Sequence, residues 1–218
     1  FGQSKLTAIS NNQIGKWVAV SVENGVGATV IKQAIGLMKQ IYASAVLDGR
    51  VSRNPAVGVP LPRAKASEKQ PLTVNQLKAL AKECGDYELL VLFAGTTGLR
   101  WGELAALQCK DISLLNRSVN ISKAYSNGLK GEKILGSTKT HQVRTVPFTK
   151  ELIPGLTELI QSRPAESHLF QMPFDGVLDY NNFMSRVFRP AVARTGLKEV
   201  GFHTLRHTTA SLLISNGA

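Results

Sequence analysis

The sequence has little of what marks a secreted, metal-rich or membrane protein. It contains two cysteines in 218 residues, Cys84 and Cys109, too few for a disulfide framework or a zinc site with four cysteine ligands. No hydrophobic run approaches the roughly 18 residues that a membrane span needs, and no signal peptide opens the chain. We therefore expect a soluble intracellular protein whose two thiols are reduced and lie in or near its core.

Acidic residues are also scarce. Aspartate and glutamate total 15 against 26 lysines and arginines, so the formal net charge is +11 and the isoelectric point is about 9.9. This excess indicates a polyanionic partner, and nucleic acid is favoured over a membrane because no basic amphipathic anchor is visible. With 43% hydrophobic residues, the chain can still bury a core in one large or two small domains.

The first part of the chain predicts a helical domain. Ser10 can cap a helix that runs to about residue 22, and Thr29 can cap a longer one that runs to about residue 47. Lys32 and Lys39 lie off the apolar stripe of this second helix. Their face is either solvated or turned toward DNA, because the whole chain is basic.

From residue 55 to residue 71 the composition shifts to proline, glycine, alanine and lysine. Pro60 and Pro62 fix the backbone and remove hydrogen-bond donors, so the segment is predicted to be extended. Its basic residues, Arg63 and Lys65, either follow the phosphates of a duplex or serve only solubility. We therefore expect one domain at 1–54, a linker at 55–71 and a second domain at 72–218.

The second domain is predicted to be mainly α with a small three-stranded antiparallel sheet, an α+β fold. Thr73 and Asp179 can each cap a helix, and an almost wholly apolar helix is expected from about Asp86 to Thr97. Between residues 119 and 146 the hydrophobic period changes, with a turn at 126–128, which predicts three short antiparallel strands.

Arg100 stands in the first chemically specific stretch, Thr-Thr-Gly-Leu-Arg-Trp-Gly-Glu-Leu-Ala-Ala-Leu. It follows a Gly-Leu turn and is predicted to open an amphipathic helix in which Leu104 and Leu107 share a buried face. Glu103 is three residues away and can hold the guanidinium. An arginine fixed beside the N–H groups of a helix N-terminus suits a phosphate, although the same residues also make ordinary surface ion pairs.

Two further stretches carry basic residues at chemically apt positions. Gly-Phe-His-Thr-Leu-Arg-His-Thr-Thr-Ala-Ser places His203 and Arg206 three residues apart, on one side of a helix. Gly-Ser-Thr-Lys-Thr-His-Gln-Val-Arg-Thr-Val-Pro-Phe places Lys139 in the turn of a predicted hairpin.

An arginine, a hairpin lysine and a His-x-x-Arg in that order resemble the tyrosine recombinases, the phage integrase family, over nearly the whole chain. Flanking residues in family-like places are Leu104, Asp111, Arg144, Pro147 and His207. The resemblance implies a core-binding domain that clamps DNA, followed by a catalytic domain. It also implies site-specific recombination, with strand cleavage and rejoining through a 3′-phosphotyrosine intermediate and without a cofactor.

The resemblance also implies catalytic roles. Arg100 and Arg206 are expected to stabilise charge on the non-bridging phosphate oxygens, since guanidinium groups stay charged and offer a planar fork. Lys139 is expected to protonate the leaving 5′-oxygen, and His203 to handle the proton of an incoming tyrosine hydroxyl. Glu103 is expected to orient Arg100.

Some of these assignments have alternatives. Lys130 or Lys133 replaces Lys139 if the hairpin register differs. His203 could be a helix-capping core histidine, and His207 is expected to be a buried hydrogen-bonding residue near the site. No metal is predicted, because the remaining histidines, His141 and His168, have no partner at metal-ligand spacing.

The sequence departs from the family pattern at its end, where the family continues to a second histidine or tryptophan and then to a nucleophilic tyrosine. The four tyrosines all precede His203, and none has the context of a nucleophile: Tyr42, Tyr87, Tyr125 and Tyr180. We expect a fragment that binds DNA and cannot cleave it.

The implied partners are double-stranded DNA attachment sites, further copies of the protein in a tetramer on DNA, and accessory directionality or DNA-bending factors. The implied location is the bacterial cytoplasm, at the nucleoid. A type IB topoisomerase-like enzyme and a DNA-binding regulator that never cuts remain alternatives. The residues expected to contact DNA are basic residues of the first domain and the linker: Lys32, Lys39, Arg50, Arg53, Arg63 and Lys65.

Overall fold

The computed structural model describes residues 1–63, 70–128, 131–137, 143–172 and 176–215. The chain divides into two units, Phe1–Glu68 and Lys69–Ala218. No helix in the described ranges is long and apolar enough to cross a membrane.

Two helices form the body of the first unit, α1 (Asn11–Glu23) and α2 (Ala28–Leu47). Ser10 caps α1 as predicted: its hydroxyl accepts from the Gln13 N–H, and the Gln13 side chain accepts from the Ser10 N–H at 2.8 Å. The prediction that Thr29 caps α2 is wrong. The N-cap is Gly27, two residues earlier, at φ −59° and ψ 136°, so α2 begins at Ala28 without a side-chain cap.

The core of the first unit includes part of the segment predicted as a linker. Ala56 and Val59 are buried against apolar residues of α1 and α2, namely Ile14, Val18, Ile31 and Ile35. Asn54 turns the chain into this position, since its Nδ2 donates to the Lys39 carbonyl at 2.9 Å and its Oδ1 accepts from the Ala56 N–H at 3.0 Å. The prediction of an extended linker is therefore wrong for residues 55–58, which form a turn, and the chain up to Val59 packs as part of this unit.

The second unit is mostly helical. Thr73 and Asp179 cap helices as predicted, accepting hydrogen bonds from the N–H groups of Gln76 at 3.2 Å and Asn182 at 2.9 Å. The helices are α3 (Val74–Glu83), α4 (Glu88–Thr97), α5 (Trp101–Ala106), α6 (Ile153–Gln161), α7 (Tyr180–Phe183), α8 (Arg189–Thr195) and α9 (Phe202–Ser215).

Helix α4 lies in the middle of this unit, as its nearly continuous apolar sequence predicts. It begins at Glu88 rather than near Asp86, because a 3₁₀ turn at Gly85–Tyr87 precedes it. Its buried side chains include Leu90, Val91 and Phe93, and it packs against α3 and α9. The C-terminal end of α4 is thereby fixed against α9, and this end leads to Arg100.

Short antiparallel strands complete the second unit. Strands β1 (Ile112–Ser113), β2 (Ser118–Ile121) and β5 (Arg144–Pro147) form a three-stranded sheet, β3 (Lys123–Asn127) and β4 (Lys133–Ser137) form a hairpin, and β6 (Gln171–Met172) pairs with β7 (Gly176–Val177). The predicted fold class, mainly α with a small antiparallel sheet, is confirmed. The hairpin was predicted in the wrong place, because β4 and β5 pair with different strands. Lys139, between them in the sequence, lies outside the described residues.

Both cysteines of the second unit are buried free thiols, as predicted. Burial raises the pKa of Cys84 to about 11, with a smaller opposing effect from the Arg194 charge. Burial likewise raises the pKa of Cys109.

Candidate active site

Arg100 stands at the turn between α4 and α5. Gly98 ends α4 in the left-handed conformation, with φ of +64°, which glycine adopts without steric cost. Two residues later, Arg100 is extended and forms the N-cap of α5. Its N–H donates to Glu103 Oε2 at 2.9 Å, and its Nη1 donates to Glu103 Oε1 at 3.1 Å. The predicted contact between Arg100 and Glu103 is therefore present.

Helix α9 brings the His-x-x-Arg motif to the same turn. Arg206 Nη1 donates to the carbonyl oxygen of Gly98 at 2.6 Å, and Thr209 Oγ1 donates to the carbonyl oxygen of Gly95 at 2.9 Å. The first of these acceptors lies two residues before Arg100. The two arginines predicted from distant motifs are thus attached to one short piece of backbone.

An aromatic cluster fixes the first turns of α5 and α9. Trp101 and Phe202, the first residues of these helices, pack edge to face with ring centroids 5.0 Å apart. Phe183 contacts both rings, at 5.1 Å from Trp101 and 5.9 Å from Phe202. Because Arg100 and His203 each neighbour one of these rings in sequence, the cluster holds both motifs in place.

The two histidines of α9 are exposed. His203 and His207 stand one turn apart with ring centroids 5.9 Å from each other. The prediction that His207 is buried is wrong, because Thr204 and Thr208 occupy the buried side of this helix. The alternative that His203 is a core histidine is wrong for the same reason. Both imidazoles are accessible to a ligand.

Glu103 joins two arginines rather than one. Its side chain is 1% exposed, and it accepts from Arg144 Nη1 at 3.1 Å and Nη2 at 2.8 Å as well as from Arg100. We call these three residues the Glu103 cluster. Burial alone would raise the pKa of Glu103, but hydrogen bonds from Arg144 and the Arg100 N–H, with the positive charge of Arg144, lower it below its ordinary value.

The contact of Arg144 with Glu103 is not predictable from the sequence. Arg144 is separated from Glu103 by 41 residues, so no helical or strand spacing connects the two. It is the first residue of β5, a strand of the three-stranded sheet, and its guanidinium reaches Glu103 of α5. The fold alone supplies this contact.

Among the three lysines considered for proton transfer, Lys133 is the one that lies within the described residues. Lys133 donates to the Leu178 carbonyl at 2.7 Å and pairs with Asp179 at 3.6 Å. Its ammonium is thus committed to the backbone before α7, which disfavours it as the substitute for Lys139. Lys130, like Lys139, lies outside the described residues.

The hairpin is seated on α5 by a close backbone contact. A Cβ added at Gly102 would lie 2.2 Å from the carbonyl oxygen of Tyr125, so glycine is required there. The Tyr125 hydroxyl also lies 3.2 Å from His168 Nε2, and burial lowers the pKa of His168 together with the charges of Lys123 and Lys133. Tyr125 is therefore engaged in holding the hairpin.

The basic residues of the first unit expected to contact DNA are mostly at its surface. Lys39 is half-buried, Lys65 lies outside the described residues, and the exposed members are Lys32, Arg50, Arg53 and Arg63. Arg50 pairs with Asp48 at 3.7 Å, an exposed contact that contributes little to stability.

Several known proteins are similar to this chain. A prophage phiRv2 integrase of Mycobacterium tuberculosis is 26% identical over 228 residues, covering 100% of this chain and 59% of the relative. The tyrosine recombinase XerC of Mycobacterium bovis is 28% identical over 233 residues, covering 99% of this chain and 73% of the relative.

A solved structure has the same fold. The Tn1549 transposon integrase, in complex with a circular intermediate DNA, superposes with a TM-score of 0.83 at 19% identity, covering 99% of this chain and 78% of that one. The present chain spans about three fifths of the length of the phiRv2 relative. Residues 70–218 match the phage integrase family, and the chain belongs to that family.

Proposed function

We propose that this chain supplies the DNA-binding and phosphate-activating part of a site-specific DNA recombinase. The observation that supports it best is the attachment of Arg206 to the carbonyl of Gly98, two residues before Arg100. This bond links two guanidinium groups that are permanently charged to the same turn. Their planar, forked geometry suits the two non-bridging oxygens of a phosphodiester.

In the proposed reaction, the hydroxyl oxygen of a tyrosine in the complete protein forms a bond to phosphorus, and the bond from phosphorus to the 5′-oxygen breaks. Arg100 and Arg206 stabilise the negative charge that grows on the non-bridging oxygens. His203 takes the tyrosine proton, and Lys139 gives a proton to the leaving 5′-oxygen. The reverse step, with a 5′-hydroxyl from another strand, rejoins the DNA.

The proposed substrate is double-stranded DNA at attachment sites. The net charge of +11 and the exposed basic residues of the first unit favour contacts to phosphates, which supply most sequence-independent affinity. The family also implies a tetramer on DNA and accessory directionality or DNA-bending proteins.

The binding part of the proposal is tested with the chain itself. Its affinity for duplex DNA should fall with salt, with a slope of log K against log salt near −0.9 for each phosphate contacted. Arg206→Ala should reduce the slope, whereas Arg194→Ala, which removes an arginine that pairs with Glu83, should not. An affinity that is independent of salt would contradict the proposal.

The chemical part requires a longer form of the protein that includes the nucleophilic tyrosine. With nicked duplex DNA, denaturing electrophoresis should show a covalent protein–DNA adduct, and Arg100→Ala or Arg206→Ala should slow its formation by roughly 10²–10³. Strand exchange between two duplexes distinguishes a recombinase from a topoisomerase-like enzyme. A regulator would give neither adduct nor exchange.

A further inference from the structure

The carboxylate of Glu103 is shared unequally by two arginines. Arg144 gives it both terminal nitrogens, at 2.8 and 3.1 Å, in the bidentate geometry that is strongest for this pair. Arg100 gives it one terminal nitrogen, at 3.1 Å. Within the described part of the chain, Nε and Nη2 of Arg100 make no hydrogen bond.

The unequal sharing leaves Arg100 accessible. Its side chain is 40% exposed, against 1% for Glu103 and 33% for Arg144. The carboxylate is therefore enclosed by its two partners, and Arg100 is the more open of them. Nitrogens with no protein acceptor on an open guanidinium are suited to receive phosphate oxygens.

The charges of the Glu103 cluster also favour binding of an anion by Arg100. A lone Arg100–Glu103 pair would be neutral and would attract an anion weakly. With Arg144 present, two guanidinium groups face one carboxylate, and one positive charge remains in excess. The buried carboxylate is also fully compensated, as a buried charge requires.

Arg144 reaches the cluster from a separate element. It is the first residue of β5 and pairs with Ile121 of β2, whereas Glu103 and Arg100 belong to α5 and its N-cap. Its guanidinium is thus delivered by the sheet and does not depend on the conformation of the Arg100 turn. The sheet can hold the carboxylate in place while Arg100 engages a ligand.

We propose that Arg144 is a positioning residue: it occupies the Glu103 carboxylate, so that Arg100 keeps its outer nitrogens and its charge for a DNA phosphate. This inference rests on the proposed function. Without Arg144, the buried carboxylate would draw both terminal nitrogens of Arg100 to itself. Arg100 would then be lost to the phosphate, although its side chain is intact.

The test compares the 218-residue chain with Arg144→Met, Arg144→Lys and the double variant Arg144→Met with Glu103→Gln. Arg194→Met is the control, since it breaks an Arg–Glu pair of 2.6 Å on α3 and α8. Affinity for a short duplex DNA should fall about tenfold in Arg144→Met, the usual effect of losing one charge-assisted contact. The lysine of Arg144→Lys can bond only one oxygen of the Glu103 carboxylate, so this variant should lose less affinity for DNA than Arg144→Met.

The double variant gives the decisive comparison. Replacing Glu103 removes the group that captures Arg100, so the double variant should bind DNA more tightly than Arg144→Met alone. Because Glu103→Gln also removes a negative charge, Glu103→Gln alone is the reference. A direct contact between Arg144 and DNA predicts that Glu103→Gln raises affinity equally with and without Arg144, whereas capture of Arg100 predicts a larger gain without Arg144. Equal gains, or wild-type affinity of Arg144→Met, would overturn the proposal. If Arg144→Met does not fold, the same comparison is made with Arg144→Lys.

A second measurement needs no DNA. The NMR signals of the Arg100 guanidinium should shift in Arg144→Met, as its second terminal nitrogen bonds to Glu103, and should stay unchanged in Arg194→Met. Unchanged Arg100 signals in Arg144→Met would reject the inference. If the wild-type chain fails to bind DNA, the proposed function fails, and these signals still decide the role of Arg144.

Discussion

Arg206 donates a hydrogen bond to the carbonyl oxygen of Gly98 at 2.6 Å, and this bond joins the two arginine motifs of the chain. The direction of that carbonyl depends on the left-handed conformation of Gly98, whose φ is +64°. Thr209 packs against the same glycine, 3.2 Å from where a Cβ would lie. One residue without a side chain thus sets the approach of α9 to the Arg100 turn.

Gly98→Ala should therefore destabilise the second unit more than a matched change elsewhere. Alanine in a left-handed conformation costs about 1–2 kcal/mol, and the contact with Thr209 adds roughly 1 kcal/mol or more of overpacking. Gly196→Ala is the control, because Gly196 also ends a helix at φ +68° but has open space at its Cβ. The free energy of unfolding of each variant is measured by urea denaturation, followed by Trp101 fluorescence in a Trp17→Phe background. Equal losses of stability in Gly98→Ala and Gly196→Ala would contradict the packing argument.

Gly102→Ala tests the seat of the hairpin on α5. The added Cβ would meet the Tyr125 carbonyl oxygen at 2.2 Å, so the backbone of β3 must move away, at a cost of about 1–3 kcal/mol. Amide hydrogen exchange in β3 and β4 should accelerate. Gly136→Ala, on β4 and with nothing within 4 Å of its Cβ, should leave exchange unchanged, and similar exchange in both variants would argue against this contact.

Local chemistry allowed several helix starts to be predicted from the sequence. Ser10, Thr73 and Asp179 each cap a helix, because a short side chain that accepts from an N–H group three residues on is a local signal. Thr29 carries the same signal but does not cap a helix, because the N-cap of α2 is Gly27 and Thr29 lies inside the helix. Capping residues indicate where a helix can begin, and backbone geometry decides between neighbouring candidates.

The site was predictable to the extent that its contacts are local. The bond between Arg100 and Glu103 follows from their spacing of three residues. The attachment of Arg206 to Gly98, 108 residues away, and that of Arg144 to Glu103 depend on how helices and strands pack. Sequence patterns therefore indicated candidate residues, while the fold determines which of them meet.

The two cysteines should be almost inert to a thiol-reactive disulfide reagent in the folded chain. Burial raises the pKa of Cys84 to about 11, so at pH 8 only about one thiol in a thousand would be ionised even if the reagent reached it. Both thiols should react rapidly in denaturant, which serves as the control for reagent activity. Rapid reaction of either cysteine in the native chain would contradict its burial.

Protonation of Glu103 should make the second unit less stable in acid. Burial opposes ionisation, but the hydrogen bonds from Arg144 and the Arg100 N–H outweigh it and hold the folded pKa of Glu103 below its ordinary value of 4.5. A lowered folded pKa contributes stability that is fully present above 4.5 and is lost as the pH falls through the folded value.

The free energy of unfolding, measured by urea denaturation from neutral pH downward, should therefore decline less steeply below 4.5 in Glu103→Gln than in the wild-type chain. Glu83→Gln, which removes only an exposed partner of Arg194, should keep the wild-type decline because solvent screens such pairs. An identical decline in Glu103→Gln and the wild-type chain would show that the folded state does not favour the ionised carboxylate.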